Sequence, residues 1–403
     1  MVSFGAQPRG GDSAVETLPR WIGLLLRFRF LLLAAVGLIY ATATFADSGG
    51  DWAVFRQGAT ILFGQSNAAS LSLYANNPVI QIGPVALAAA GPFAALPPEL
   101  SRLLVSAAMT LALPGCLFFA ERTARRLRTP SPWLPATVLV GGLIITPMWA
   151  QLAVVYAHLD DVLVLVFLVW AMDQLTLGKP WTVGIALGLA TCSKPWAAPC
   201  LALAFALPWL QARKAVAAWA LTCSVCWLPF VIFDHRTLGA LAGFRVPVAP
   251  DSVFGLLGFT LARSPSWDRP AQLLIGFILA LIAAKTGRWA AVPVLVIATR
   301  TLLDSQTFSY YYSGLLFATL LFELLGSKRR LPYATLFLAF VLYDGKWLSN
   351  DVRLTAVINA GVAAIAIASV FLAKGRVAGP ESQSRTPAFD QTSRVTEPVA
   401  GNH

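Results

Sequence analysis

Apolar runs recur along almost the whole of this chain, and only short clusters of charge separate them. A bilayer core is about 30 Å thick, so a helix of about 20 apolar residues crosses it. Charged residues make up 12% of the sequence, about half the share in a typical soluble domain. Inside a bilayer every backbone polar group must be satisfied within the protein, which a helix achieves. The pattern therefore predicts an all-α polytopic membrane protein.

The charge balance is basic, with a formal net charge of +11 at pH 7. The basic residues stand mainly between apolar runs, a pattern that orients membrane proteins, so we expect membrane lipid and no nucleic acid as a partner. All five cysteines lie in apolar segments. Cys223 and Cys226 form a CxxC pair without a second Cys/His pair at zinc spacing, which favours packing residues over a metal site.

Basic flanks at Arg20, Arg27 and Arg29 predict a cytoplasmic N-terminal segment, 1–20, before a membrane domain over 21–374. The apolar stretch 78–96 is interpreted as a helix along the outer interface, since a full span there would put the later basic turns outside. This choice predicts about 12 transmembrane helices with the basic turns inside, including one at Arg213-Lys214. The predicted spans are 30–46, 101–120, 133–152, 161–177, 181–194, 197–211, 215–233, 271–284, 288–302, 310–325, 331–343 and 352–373. The tail, 375–403, is rich in Pro, Ser, Thr and Gly and is predicted to be disordered and cytoplasmic.

Because successive spans cross the membrane in opposite directions, the predicted topology places many polar residues on the outer side of the membrane. Two long outer loops, 46–100 and 234–270, stand out among short connections, and long loops in compact proteins are usually functional. The candidate functional residues of the first outer loop and the later outer turns are Asp51, His158, Asp160, Asp161 and Lys194. Of these, His158 suits a structural and a functional role equally.

Each of the other candidates also has a structural interpretation. Asp51 follows Gly49-Gly50 and is a favourable helix N-cap as well as a candidate base, and the two roles are compatible. One carboxylate of Asp160 and Asp161 suits the dipole at the start of the next helix. Lys194 before a proline could snorkel to the interface, although a functional role is favoured. The tyrosines at 310–312 are interpreted as an aromatic belt at the membrane surface.

Three stretches together resemble one group of membrane enzymes. They are Asp51-x3-Phe55-x2-Gly58-Ala59-x2-Leu62-x-Gly64 with Leu73-Tyr74 and Pro78, then Tyr156-Ala157-His158-Leu159-Asp160-Asp161, then Gly184-x3-Gly188-Leu189-Ala190-x3-Lys194-Pro195-Trp196. In this order, over roughly residues 20–350, they resemble the GT-C glycosyltransferases. In particular they resemble the polyprenol-phosphate-mannose-dependent mannosyltransferases of actinobacteria, glycosyltransferase family 87. Family members often have proline where this chain has Leu159.

The resemblance implies a GT-C-like fold with interfacial helices in the first outer loop. It also implies an inverting transfer of a sugar from a polyprenyl-phosphate donor, on the outer face of the cytoplasmic membrane. Asp51 matches the family's base, which takes the proton of the acceptor hydroxyl. The donor phosphate needs positive charge or hydrogen-bond donors nearby. The residues expected at the phosphate are Lys194, Arg236 and Arg245, and those expected at the sugar or acceptor are His158, Asp160, Asp161, Trp52 and Tyr74.

Mannose is the expected sugar, a glycolipid or lipoglycan the expected acceptor, and the lipid-linked donor a co-substrate rather than a cofactor. No metal is expected, because HExxH and DxD are missing and the Asp160 and Asp161 side chains should diverge on a helix. Two alternatives stay open: an arabinosyl or other pentosyl transferase of the same fold, and a flippase or transporter for a lipid-linked sugar. Charges on one side and no visible internal repeat favour an enzyme over a transporter.

Overall fold

The computed structural model describes residues 19–47, 49–64, 66–127, 131–259, 262–326, 331–348 and 351–372. Within these ranges the regular structure is helical and there is no strand, which confirms the prediction of an all-α chain. Most of the predicted N-terminal segment, 1–20, and the whole of the predicted tail, 375–403, lie outside the described residues.

The helices differ widely in length and are numbered here in chain order. They are α1 (Arg20–Arg27), α2 (Arg29–Thr44), α3 (Trp52–Gly64), α4 (Asn67–Leu71), α5 (Leu73–Asn76), α6 (Pro84–Ala94), α7 (Pro98–Leu127), α8 (Leu134–Ala150), α9 (Leu159–Thr176), α10 (Pro180–Ser193), α11 (Trp209–Phe233), α12 (Arg236–Gly243), α13 (Val253–Leu256), α14 (Asp268–Lys285), α15 (Val292–Leu303), α16 (Ser309–Gly326), α17 (Tyr333–Leu348) and α18 (Val352–Leu372). The segments Phe45–Asp47, Pro195–Ala206 and Trp289–Ala291 are 3₁₀-helical, and Gln151–Val155 is a π-helical turn that continues α8.

Among the described residues, four helices are long and apolar enough to cross a membrane: α7, α8 with its π-helical turn, α11 and α18. The pair α1 and α2, bent by 72°, makes a fifth if it counts as one span. On α11 the side chains of Leu221, Val225 and Ile232 are 62%, 67% and 78% exposed. A long apolar face turned outwards fits hydrocarbon rather than water, so this is the architecture of a helical membrane protein.

The chain around residues 194–214 differs from the predicted spans. The 3₁₀-helical segment Pro195–Ala206 follows α10, and α11 then runs without a break from Trp209. Arg213 and Lys214 therefore lie inside a helix, and the turn predicted there is wrong. Alanine, leucine, glutamine, arginine and lysine are all strong helix formers, and at 209–216 this local preference outweighs the charge pattern that suggested a turn.

The first predicted outer loop, 46–100, is built largely from the short helices α3 to α6. Of the stretch 78–96, only Pro84–Ala94 is helical, and these 11 residues rise by about 16 Å. That length is about half of a bilayer core, so this stretch does not cross a membrane as one helix. The α3 and α6 helices pack against each other, and α6 also packs against α7 and α10.

Buried ion pairs hold the ends of three long helices together. Glu121, near the end of α7, lies 2.7 Å from Arg29 at the start of α2 and 2.5 Å from Arg125. Arg126 of α7 lies 2.5 Å from Asp173, near the end of α9. The two acids are both 2% exposed. The start of α2 and the ends of α7 and α9 thus share one end of the bundle, and the other end of α2 leads to Asp51.

Gly83, just before α6, touches the end of α10. Its N–H donates to the carbonyl of Ser193 at 3.1 Å. A Cβ atom on Gly83 would lie 2.0 Å from the carbonyl oxygen of Cys192. Glycine therefore lets the first loop dock directly beside Lys194, the residue that follows Ser193.

We expect Gly83→Ala to lower the stability of the fold by at least ~1–3 kcal/mol, because the added methyl meets backbone that cannot rotate away. Gly361 in α18 is a suitable control, since nothing lies within 4 Å of a Cβ placed there. Gly361→Ala should be neutral or stabilising by up to about 1 kcal/mol, because alanine favours a helix over glycine. Thermal unfolding of both purified variants tests this, and equal midpoints for the two would contradict the close approach.

Candidate functional site

Asp51 directly precedes α3, at a turn that a glycine makes possible. Gly49 has a φ of 106°, which residues with a Cβ rarely adopt, and its N–H donates to the carbonyl of Val155 at 3.0 Å. The main-chain carbonyl of Asp51 accepts two amides from the first turn of α3. Its carboxylate meets His158, with Oδ2 2.6 Å from Nε2, and its side chain is 46% exposed. Asp51 thus starts the helix through its main chain and offers its carboxylate to the site.

His158 follows an irregular end of α8. Gln151–Val155 is a π-helical turn, and the N–H of Tyr156 donates back to Gln151 at 2.9 Å. Ala157 is fully buried and has a φ of 53°, a conformation that is rare for a residue other than glycine. Such π-helical turns and strained residues concentrate at functional sites. The backbone itself therefore marks 151–158 as a candidate functional segment.

A buried ionic cluster surrounds His158. Nδ1 of His158 is 3.3 Å from Oδ1 of Asp160. The ammonium of Lys194 lies 3.0 Å from Asp160 Oδ2, 2.5 Å from Asp161 Oδ2 and 3.3 Å from His158 Nδ1. The four side chains are between 3% and 14% exposed, so Asp51 is the accessible end of an otherwise buried network.

The prediction that the side chains of Asp160 and Asp161 diverge is wrong, because a carboxylate oxygen of one lies within 4.8 Å of a carboxylate oxygen of the other. Asp160 and Asp161 occupy the first turn of α9, where successive side chains point about 100° apart. The long side chain of Lys194 nevertheless reaches both. Its backbone is extended at the end of α10, with φ −152° and ψ 125°, and this places the ammonium between the two acids.

A second cation, Arg300, enters the network from α15. Its Nη1 is 3.3 Å from Asp161 Oδ1, and its Nε is 3.7 Å from Asp304. The guanidinium stacks over Tyr311 at 4.0 Å and over Trp196 at 5.0 Å. The indole N–H of Trp196 also donates to Asp161, at 2.8 Å. Asp161 therefore contacts both cations of the network and an indole N–H, and a small cavity lies beside it.

Tyr310 and Tyr311 contact the cluster and all three tyrosines are buried, so the interpretation of this run as an aromatic belt at the membrane surface is wrong. Tyr310 stacks on His158, with ring centroids 3.9 Å apart and planes 25° apart, while Tyr311 covers Arg300. Tyr310, Tyr311 and Tyr312 are 6%, 9% and 3% exposed. The first turn of α16 faces the cluster rather than the membrane surface.

Sequence reasoning missed Arg300, although a signal for it exists. Arg300 lies well inside the predicted span 288–302, whose other charged residue, Arg288, stands at its start. Charges within membrane helices are costly and are almost always paired or functional. A search for partners of such a charge would have pointed to an acid at the same end of the bundle.

Two residues expected at the sugar lie in the core instead. Trp52 is 3% exposed, and its indole N–H donates to the hydroxyl of Ser101 at 3.1 Å. Tyr74 is 1% exposed, and its hydroxyl donates to the carbonyl of Ile82 at 2.9 Å. Neither ring presents a face to a ligand in this conformation, so both serve the packing of the first loop.

The two arginines expected at the phosphate also lie outside the cluster. Arg236 pairs with Asp234 at 2.7 Å and is 64% exposed. Its Nη2 is 3.4 Å from the amide oxygen of Asn76, in α5. Arg245 is exposed. The positive charge beside His158 comes from Lys194 and Arg300 instead.

The contact between Asp51 and His158 shifts the pKa of both groups. The hydrogen bond with His158 lowers the pKa of Asp51, and this effect outweighs burial, which raises it. Burial and the Lys194 ammonium lower the pKa of His158, but Asp160 and Asp51 raise it further, so that its net pKa is raised. Asp51 is therefore a carboxylate at neutral pH, ionised, half-exposed and able to accept a proton.

His158, Asp160 and Asp161 also present one ligand atom each within 4.8 Å of one another. A nitrogen and two carboxylate oxygens are ligands that divalent transition metals accept. The absence of a metal requirement remains a prediction. The ammonium of Lys194, however, already lies within 3.3 Å of all three side chains.

Comparison of the chain with protein-family models, with curated proteins and with solved structures finds no match. Function is therefore inferred from the geometry of the site and from the sequence resemblance.

Proposed function

We propose that this chain is a membrane glycosyltransferase of the GT-C type. It transfers a sugar, with mannose as the first candidate, from a polyprenyl-phosphate donor to a glycolipid or lipoglycan acceptor. The observation that carries the proposal is the Asp51 carboxylate, which is 46% exposed and lies 2.6 Å from the imidazole of a buried charge cluster. An ionised carboxylate that is accessible and held in place can take a proton from a hydroxyl as that hydroxyl attacks.

In the proposed reaction the acceptor oxygen attacks the anomeric carbon of the donor sugar. The bond from that carbon to the phosphate oxygen breaks, and the hydroxyl proton passes to Asp51. The lipid phosphate leaves with the bonding electrons and needs little protonation, and the anomeric configuration inverts. One positioned base is therefore the main acid–base group that the reaction requires.

His158 is the positioning residue for this base. Its Nε2 contacts Asp51, its Nδ1 contacts Asp160, and Tyr310 stacks on its ring. These contacts fix the imidazole on two edges and one face. A fixed imidazole holds the carboxylate in one orientation, which favours proton transfer in the attack geometry.

Lys194 has a different role here from the one expected at the phosphate. A phosphate could reach its ammonium only by displacing Asp160 and Asp161, so we assign Lys194 to holding these acids. Arg236 also pairs with an acid, Asp234, but its side chain is 64% exposed, so a phosphate can approach the guanidinium from solvent. It lies beside Asn76, which belongs to the same predicted outer loop as Asp51. We therefore propose Arg236, together with the exposed Arg245, as the cations for the donor phosphate.

We further propose the outer face of the cytoplasmic membrane as the location of the site, with both termini cytoplasmic and about 12 spans. The ends of α7 and α9 meet the start of α2 at an end rich in arginine, which supports its placement in the cytoplasm. Asp51, His158, Lys194 and Arg300 meet elsewhere, beyond the far end of α2. The charges of the site thus gather at one end, which favours a one-sided enzyme over a transporter.

The direct test uses the purified chain in lipid nanodiscs with polyprenyl-phosphate-[¹⁴C]mannose and a glycolipid extract as acceptor. We expect label to move from the donor into glycolipid, and a parallel arm with a polyprenyl-phosphate-arabinose donor identifies a pentosyl transferase. In proteoliposomes, movement of labelled donor across the bilayer without any transfer from either donor would overturn the proposal in favour of a flippase.

A further inference from the structure

The side chains around His158 are of the types that bind metal ions, but a lysine ammonium lies among them. The ligand atoms of His158, Asp160 and Asp161 lie within 4.8 Å of one another, as the donors around one divalent ion do. These residues come from a strained turn and the first turn of one helix, so the backbone holds them together. The fold itself therefore keeps these three side chains close together, and a metal ion is not needed to do so.

The ammonium of Lys194 lies among these same three side chains. It is 3.3 Å from Nδ1 of His158, 3.0 Å from Asp160 Oδ2 and 2.5 Å from Asp161 Oδ2. An ammonium carries three N–H donors and one positive charge. Three neighbouring side chains match that number, and this geometry is close to that of a small cation among its ligands.

The charges around Lys194 lead to the same conclusion. Asp160 and Asp161 are 3% and 7% exposed, and two carboxylates this buried need positive charge close by. Arg300 contacts only Asp161 of the pair, whereas Lys194 contacts both. Loss of the ammonium would leave a net negative site with a ready set of nitrogen and oxygen ligands.

We propose that Lys194 is a built-in cation that takes the place of a divalent metal ion. Replacing it with an uncharged residue would then convert His158, Asp160 and Asp161 into a site for a hard or borderline divalent ion such as Mn²⁺. On this proposal, the ammonium of Lys194 supplies in the wild type the positive charge that such an ion would supply. This role of Lys194 holds whether or not the chain transfers sugars.

The test compares Mn²⁺ binding by wild-type protein and Lys194→Met, each purified as the full chain in detergent and stripped with chelator. Mn²⁺ is preferred to Zn²⁺ because the thiols of Cys192, Cys223 and Cys226 would compete for a softer ion. Electron paramagnetic resonance of free Mn²⁺ gives the bound fraction directly. We expect one tightly bound Mn²⁺ per chain in Lys194→Met and none in wild type, with a rise in the melting temperature of the variant alone.

Two further variants separate this site from others on the protein. Lys194→Arg keeps a cation in place and should not gain the Mn²⁺ site. Lys194→Met combined with Asp160→Asn lacks one ligand and should lose most of the gained affinity, by roughly 10-fold or more. Equal Mn²⁺ binding by wild type and Lys194→Met would overturn the proposal, as would a folded Lys194→Met that binds no ion.

If Lys194→Met does not fold in chelator, its recovery is measured after expression and purification with Mn²⁺ present. Rescue by the ion is the expected result, because the ion would supply the missing charge. Lys194→Gln, which keeps an N–H donor, is measured in the same way. Failure of Mn²⁺ to rescue or bind either variant would show that the three side chains do not form a latent metal site.

Discussion

Replacing Asp51 with asparagine is expected to slow the proposed glycosyl transfer by about 10²–10⁴-fold, the usual contribution of a positioned general base. Asparagine has nearly the same shape, and its amide oxygen can still accept a hydrogen bond from His158. It cannot take up the proton of the acceptor hydroxyl. Because the lost interaction belongs to the transition state, kcat should fall with little change in KM.

The measurement is the initial rate of label transfer by wild type and Asp51→Asn in the same nanodiscs, with melting temperatures to confirm folding. Glu99→Gln is a matched control, since Glu99 is an 84% exposed carboxylate in the first turn of α7. The control should keep full activity. As the pH falls, the wild-type rate should decline with a midpoint below 3.8, the ordinary pKa of an aspartate carboxyl group, because His158 lowers the pKa of Asp51. Undiminished transfer by Asp51→Asn would remove Asp51 as the base.

Asp161→Asn is expected to lower the stability of the protein by ~3–5 kcal/mol, the usual cost of breaking a buried ion pair by removing one partner. Asp161 accepts from Trp196 at 2.8 Å, lies 3.3 Å from Arg300 and lies 2.5 Å from the ammonium of Lys194. An amide offers one acceptor where the carboxylate offers two, and it turns an N–H₂ group towards these donors. Two cations would then be left buried with less negative charge around them.

Thermal or denaturant unfolding in one detergent measures this loss of stability. Glu99→Gln is again the control, and it should lower stability by only ~0–1 kcal/mol because the ion pair of Glu99 is exposed. A second change, Arg300→Met in the Asp161→Asn background, should recover part of the loss, because it removes one of the two stranded charges. If the stability losses of the two single substitutions simply added in the double variant, that result would contradict a direct coupling between Asp161 and Arg300.

The helical class and the main members of the site could be predicted because they depend on local properties. Charge content and apolar runs are enough to exclude a soluble domain, and the described residues are indeed helical. Alternation of spans assigns each polar residue to one side of the membrane, and this groups Asp51, His158 and Lys194 on the same side. The alternation of spans assigns a residue to one end of the helix bundle, but it gives no distance between side chains.

Individual boundaries were less predictable because weak local signals compete. At Arg213 the basic charge pointed to a turn, whereas the helix propensity of its neighbours continued α11 through it. Trp52 and Tyr74 show the same limit for side chains. Their types suit sugar binding, and only the fold decided that both rings turn into the core.

The sequence by itself determined that this chain is all-helical, apolar enough for a membrane, and supplied with a carboxylate at Asp51 next to a turn. These properties follow from composition and from residues close together in the chain. The tertiary structure decided which charges meet: it set Lys194 between Asp160 and Asp161, brought Arg300 from 139 residues away to Asp161, and stacked Tyr310 on His158. The reason is physical, since a buried charge is stable only beside its partners, and helix packing alone determines which partners come within reach.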